Sequence, residues 1–303
     1  MINLYQINYP LILDGGLSNV LEDQGCDLRH KLWSAKLIKT NPETIIKAHL
    51  SYLEAGADCI TTSGYQATVK GFMDLGETME QAKKLLLRSV ELAEEARDQF
   101  LGSANISRKI YIAASMGPYG AFLADGSEYR GDYSISETDL KKFHSDRIRV
   151  LASSKADFFA FETIPSLVEI NILSELLMNS VKPSWISFSC RDELHLNDGH
   201  KISDAIHILA NHPTVFAIGV NCTPPKFVSE IIRIIKSIAP GKRIIVYPNS
   251  GEVYDAKSKS WQGISDPDLF LDMAREWMEM GADILGGCCR IGPGHIQKIQ
   301  GLR

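Results

Sequence analysis

Short apolar runs alternate with amphipathic stretches along almost the whole chain, and most runs stop at a polar residue or a glycine. The runs are Leu11-Ile12-Leu13, Asp58 to Thr62, Ile110 to Ser115, Phe158 to Phe161, Trp185 to Phe188, Val215 to Val220, Ile244 to Tyr247 and Asp283-Ile284-Leu285. Each is too short for a helix and has the length of a buried parallel strand. The stretches between them carry helix signals. Asn41-Pro42-Glu43 offers a cap, a first-turn proline and an acid near the positive helix end. Ile45, Ile46, His49, Leu50 and Leu53 then recur at helical spacing, and Gly56 can end the helix. A long helix is expected over Glu77 to Phe100. Ser136 with Asp139, and Ser166 with Glu169, resemble capping boxes. Further helices are expected over Ile202 to Leu209, Phe227 to Ile238 and Asp266 to Met280, the last stopped by Gly281. Tyr119 to Tyr133, punctuated by Gly120, Gly126 and Gly131, reads as a long loop of the kind that forms lids.

Eight strand-then-helix units in one 303-residue chain predict a single-domain (β/α)8 TIM-type barrel over residues 1–303. A doubly wound open sheet is the rival, but no Gly-x-Gly-x-x-Gly follows the first strand and no phosphate-loop lysine motif occurs. Hydrophobic residues make up 45% of the chain, enough for a large core, and the net charge of −5 without a Lys/Arg run argues against nucleic-acid or anionic-lipid partners. No apolar stretch approaches the ~20 residues of a membrane span. The start, Met1 to Pro10, lacks a basic-then-apolar leader, so a cytoplasmic protein is expected. The glycosylation sequons at Asn105 and Asn221 are then chance matches.

Catalytic groups in such barrels come from the carboxyl ends of the strands. The polar residues there are Asp14, Thr62, Ser115, Glu162, Ser189, Asn221 with Cys222, Asn249, and Cys288 with Cys289. Adjacent thiols after Gly286-Gly287 can turn toward one ion, because glycine adopts positive φ and permits close approach. Cys222 would supply a third thiolate. Three protein ligands and an open fourth position are the mark of catalytic zinc. Two other readings of the pair stand beside this one: a vicinal redox pair, and a closed structural site with His295 as fourth ligand. Cys26, Cys59 and Cys190 read as core residues. Asp14 and Glu162 read as grips for a substrate amine, the alternatives being a turn residue and an ion-paired core carboxylate. Trp33 is either core or an aromatic wall for a cationic ligand. Neither a Gly-x-Ser-x-Gly elbow nor a His-Glu-x-x-His pair is present.

The chain resembles the homocysteine S-methyltransferases, and most closely their S-methylmethionine-dependent branch. The resemblance rests on Asp14-Gly15-Gly16, Leu32-Trp33-Ser34-Ala35-Lys36, Gly64-Tyr65-Gln66-Ala67-Thr68, Gly117-Pro118-Tyr119-Gly120-Ala121 and Ala124 through Tyr133. It continues in Phe161-Glu162-Thr163, Val220-Asn221-Cys222, Val246 through Glu252 and Gly286-Gly287-Cys288-Cys289-Arg290. It implies a (β/α)8 barrel, zinc ligation by Cys222, Cys288 and Cys289, and a homocysteine site around Asp14, Gly15, Thr62 and Glu162, with Asn221 and Trp33 as further substrate contacts. The implied reaction moves a methyl group from a sulfonium donor, S-methylmethionine or S-adenosylmethionine, to homocysteine, forming methionine. The betaine-using branch has a tyrosine after the second strand where this chain has Gln66, so betaine is not the expected donor. A zinc-binding or thiol-sensing barrel without turnover is the competing class, and the Asp14 and Glu162 pair speaks against it.

Overall fold

The computed structural model describes residues 3–30, 32–103, 108–255, 260–262 and 265–303, so the sequon at Asn105 lies outside the described residues. The eight apolar runs are eight parallel strands: β1 (Leu11–Ile12), β2 (Cys59–Thr61), β3 (Tyr111–Met116), β4 (Phe158–Ile164), β5 (Ser184–Phe188), β6 (Val215–Asn221), β7 (Arg243–Tyr247) and β8 (Ile284–Leu285). Their spatial order is β1-β8-β7-β6-β5-β4-β3-β2. A bridge between Leu13 and Cys59 closes the ring, flanked by Asp58 N–H donating to the Ile12 carbonyl (2.7 Å) and Asp14 N–H to the Cys59 carbonyl (3.0 Å). The eight-stranded barrel expected from the alternation is what forms.

Helices cover the outside: α1 (Pro42–Glu54), α2 (Met79–Ser103), α3 (Glu137–Leu151), α4 (Leu167–Leu177), α5 (Ile202–Leu209), α6 (Val228–Ile238), α7 (Pro267–Met280) and α8 (Pro293–Ile299). Asp266 caps α7 through the Asp268 N–H (2.8 Å), and Gly281 ends it at φ 115°. Asn41 precedes α1 without a side-chain cap bond. Ser166 caps α4 by accepting the Glu169 N–H (3.3 Å). Glu169, however, does not reach back to complete a capping box. Its carboxylate accepts the Tyr119 N–H (2.8 Å) and the Tyr133 hydroxyl (2.9 Å), and lies 2.6 Å from His144 Nε2. The tertiary partners win because the carboxylate is fully buried, where charge-assisted hydrogen bonds are strongest. They also anchor the segment read as a loop. That segment is partly ordered into a one-turn helix, Tyr119–Leu123, and a 3-10 turn, Ser127–Tyr129.

Side chains of a strand point alternately to its two faces. Ile12, Ile60, Ile112, Phe159, Phe161, Ile186, Val220, Val246 and Leu285 face the helices. Leu11, Leu13, Cys59, Tyr111, Ala113, Phe158, Ala160, Trp185, Ala217, Ile245 and Ile284 fill the barrel. At about 1.5–3 kcal/mol per fully buried large side chain, these two layers are the main stabilising term. At Gly219 a Cβ would lie 1.7 Å from the Ile245 carbonyl oxygen, so β6 and β7 approach too closely for any other residue. Continuing the two-residue period upward puts Thr61, Ser115, Glu162, Ser187, Asn221 and Tyr247 at the carboxyl rim. A polar layer therefore sits on the apolar plug. Among the described residues no helix is long and apolar enough to cross a membrane.

Candidate active site and metal centre

Cys222 follows the last residue of β6 and takes a left-handed backbone, φ 46°. Cys288 and Cys289 follow β8 after Gly286 and Gly287. Neither glycine adopts the positive φ open to it; both are needed for room. A Cβ on Gly286 would sit 2.6 Å from Leu13 Cβ, and one on Gly287 would sit 2.0 Å from the Ile291 side chain. The three sulfurs thereby meet within 4.8 Å of one another. Cys222 and Cys288, with Cα atoms 5.6 Å apart, are drawn together as a disulfide, and Cys289 is a free thiol 3.9 Å from the Cys222 sulfur. Tetrahedral zinc with bonds of about 2.3 Å separates two thiolates by roughly 3.8 Å. The Cys222–Cys289 spacing matches that, and three soft sulfur donors suit the ion. With Cys222 and Cys288 reduced, the residues present fit a three-thiolate metal. His295 takes no part: its ring accepts the Gly292 N–H (3.2 Å) on one side and meets Ser265 Oγ (3.0 Å) on the other.

Two acids face the same cavity. Asp14 is buried and accepts the Thr61 N–H (2.8 Å) and the Thr61 hydroxyl (3.1 Å). Burial holds its carboxyl well above the usual range, and the nearby Glu162 adds to the rise. Glu162 is buried beneath the Ser115 hydroxyl, which donates to it. Burial pushes it up to about 7, against the opposing effect of Ser115 and Tyr247. No Lys, Arg or His is among the described residues lining the cavity. Two carboxyls out of water without a basic partner are costly unless a ligand cation completes them.

Trp33, Tyr65 and Tyr129 form an aromatic side of the cavity. Trp33 opens a 3-10 turn at φ 47°, and its ring meets Tyr65 edge-on at 6.2 Å. Gly15 and Thr62 line the cavity as well. Thr62 Oγ1 accepts the Ser115 N–H (3.1 Å), and a Cβ on Gly15 would fall 2.2 Å from the Ile291 carbonyl. Gln66, by contrast, is buried against the Ala121 carbonyl (2.8 Å).

The homocysteine S-methyltransferase family model matches residues 11–302. The chain belongs to this family. It is therefore a methyltransferase, of a family defined by a homocysteine acceptor. The Bacillus subtilis homocysteine S-methyltransferase YbgG is 46% identical over 296 residues, covering 96% of this chain and 94% of that protein. A selenocysteine Se-methyltransferase of Brassica oleracea is 44% identical over 303 residues, covering 95% and 87%. The metallated form of the Escherichia coli homocysteine methyltransferase MmuM superposes with a TM-score of 0.87 at 39% identity, covering 97% and 96%.

Of the strand-end residues picked from the sequence, Asp14, Thr62, Ser115, Glu162, Asn221, Cys222, Cys288 and Cys289 line one cavity. Ser189 and Asn249 do not. Ser189 accepts from Asn197 Nδ2 (2.6 Å), and Asn249 accepts the Gly251 N–H (3.0 Å), so both are spent on their own loops. Sequence reasoning missed Thr61, Thr163, Ser187 and Tyr247. The two-residue period would have found three of them, since Thr61, Ser187 and Tyr247 each stand two beyond an inward core residue: Cys59, Trp185 and Ile245.

Proposed function

We propose that this enzyme transfers a methyl group from a sulfonium donor, S-methylmethionine or S-adenosylmethionine, to the thiol of homocysteine, with zinc held by Cys222, Cys288 and Cys289. The observation that carries the reading is the convergence of three sulfurs, from the ends of β6 and β8, in a cavity that two acids without a basic partner also line. A metal store needs no such acids. Zinc bound there would remove the proton of a coordinating thiol and fix the sulfur in place, while three thiolates on a dication leave a net −1 centre that keeps an added sulfur electron-rich.

The protein's own groups do the rest. Asp14 and Glu162 take the homocysteine ammonium, and so aim the γ-carbon sulfur at the cysteine cluster. That orientation removes most of the entropy of bringing two reactants together. Trp33, Tyr65 and Tyr129 offer ring faces to the positive sulfur of the donor. Attack of thiolate on a sulfonium methyl cancels charge, so an apolar aromatic wall favours the transition state over the separated ions. No general base is assigned to the transfer itself.

Methionine formation from homocysteine should be measured with S-methylmethionine, S-adenosylmethionine and betaine, each with and without a chelator. Turnover with a sulfonium donor, abolished by the chelator and restored by zinc, is expected. Turnover with betaine alone, or turnover indifferent to chelation, would reject the reading; metal binding without turnover would make the protein a silent zinc-binding barrel.

A further inference from the structure

The segment from Tyr119 to Tyr133, which brings Tyr129 to the cavity, is tied at both ends to one carboxylate. The Tyr119 N–H donates to Glu169 Oε1 (2.8 Å) and the Tyr133 hydroxyl to Oε2 (2.9 Å). Glu169 sits on α4, outside the barrel, and is wholly buried. His144 and Arg147 on α3 complete its setting, and the direction of each bond is fixed. Arg147 can only donate. Its Nη2 donates to the Gly117 carbonyl (2.7 Å) and to His144 Nδ1 (2.9 Å). His144 Nδ1 is therefore the acceptor. The proton of the neutral ring is then on Nε2, which donates to Glu169 Oε1 (2.6 Å). Burial holds the His144 pKa below its ordinary value, in keeping with a neutral ring. Arg147 Nε and Nη1 have no hydrogen-bond partner among the described residues, and the guanidinium lies over the Phe143 ring at 4.2 Å. A buried cation and a buried anion are thus joined through a neutral ring, and each is costly without the other.

The tie reaches Tyr129 by packing. Tyr129 is half-exposed, so the core beneath does not set its place. A Cβ on Gly120 would lie 2.4 Å from the Glu128 nitrogen and 2.8 Å from Tyr133 Cε1. The backbone just before Tyr129, the short helix Tyr119–Leu123 and the Tyr133 ring therefore meet with no room between them. The tip turns through left-handed residues at Ala124 (φ 56°) and Gly126 (φ 82°). It is bonded to itself: the Gly126 carbonyl accepts the Tyr129 N–H (3.1 Å), and the Ser127 carbonyl accepts those of Arg130 (3.0 Å) and Gly131 (2.8 Å). Such a tip moves as one body with whatever holds its base. We propose that Tyr133, Glu169, His144 and Arg147 are positioning residues that clamp the Tyr119 to Tyr133 segment and so hold the Tyr129 ring in the wall offered to the sulfonium donor. The inference rests on the reading of that wall as the donor's. None of the four residues lines the cavity, so each acts through Tyr129.

Steady-state kinetics with S-methylmethionine and homocysteine varied in turn, beside hydrogen exchange read by mass spectrometry, tests the clamp. Tyr133→Phe removes one hydroxyl and leaves Glu169 its bonds from Tyr119 and His144. The donor KM should rise roughly 2- to 5-fold, the worth of an exposed cation–ring contact, with the homocysteine KM unchanged. Peptides over residues 124–131 should exchange faster than in the wild type, and those over α6 at the same rate. Gly120→Ala wedges the tip without touching Glu169, and should also raise the donor KM alone. Tyr129→Leu should raise it to a similar extent, and adding Tyr133→Phe to Tyr129→Leu should raise it little further. A merely structural role would lower kcat by losing folded enzyme, leave both KM values in place, and overturn the proposal. So would unchanged exchange over residues 124–131 in Tyr133→Phe, or full additivity in the double variant. If Tyr129→Leu itself leaves the donor KM unaltered, the donor-wall reading falls and takes the clamp with it. If Tyr129→Leu raises it while Tyr133→Phe and Gly120→Ala behave as wild type, the wall stands and the clamp alone fails.

Discussion

Asp14→Asn isolates one charge at the acceptor site. Asp14 accepts from Thr61 twice, through the backbone N–H at 2.8 Å and the hydroxyl at 3.1 Å. An asparagine can keep both: its Oδ1 takes the N–H, and its Nδ2 donates to the hydroxyl oxygen, which turns its own hydrogen away. The fold therefore retains its bonds, and only the negative charge offered to the ligand is lost. A hydrogen bond to a charged group contributes about 1.5–3 kcal/mol net and a neutral one about 0.5–1.5. The difference, about 1–2 kcal/mol, corresponds to a rise of roughly 5- to 30-fold in KM for homocysteine. The donor KM and the thermal midpoint should hardly move, and kcat at saturating homocysteine should fall by much less than KM rises. Steady-state kinetics with each substrate varied in turn, beside a melting curve, measures all four. Should the donor KM rise while that of homocysteine stays put, Asp14 belongs to the donor and the assignment of the cavity's two sides is inverted.

Trp33→Ala should raise the sulfonium-donor KM by roughly 2- to 30-fold, the worth of a partly desolvated cation–ring contact of about 0.5–2 kcal/mol, and leave the homocysteine KM in place; an unchanged donor KM would remove the aromatic wall. A pH dependence of stability follows from Glu162, whose carboxyl is pushed up from 4.5 to about 7 in the folded, ligand-free protein. The folded state then binds the proton more tightly than the unfolded chain, so stability falls as pH rises from about 4.5 to 7 and levels off above, by about 3 kcal/mol from this group. Urea unfolding of metal-free protein at pH 5 and pH 8 should show that fall in the wild type and less of it in Glu162→Gln; parallel pH profiles would mean that Glu162 ionises normally.

The barrel was legible because its signal is repeated: eight apolar runs, each as long as a strand and most of them ended by a polar residue or a glycine, leave few other folds. The rim was only partly legible. Residues that end an apolar run, such as Asp14, Glu162 and Cys222, stand out against the apolar residues before them. Ser187 and Tyr247 lie inside their strands, and only the inward or outward parity of each position separates them from packing residues. Local spacing also misled. Ser166 and Glu169 have the separation of a capping box, yet Glu169 is drawn to Tyr119, Tyr133 and His144. Those partners come from a distant part of the chain, and no window around residue 169 contains them. The same contacts fold part of Tyr119 to Tyr133 into a turn of helix, where glycine content alone indicates a loop.

X-ray absorption on the reduced, zinc-loaded protein tests the central claim most directly. Three sulfurs at about 2.3 Å are expected before substrate and four after homocysteine is added, with Cys289→Ser lowering each count by one. A sulfur count that does not rise with homocysteine, or that survives the loss of Cys289, would contradict a three-thiolate centre with a place for the acceptor.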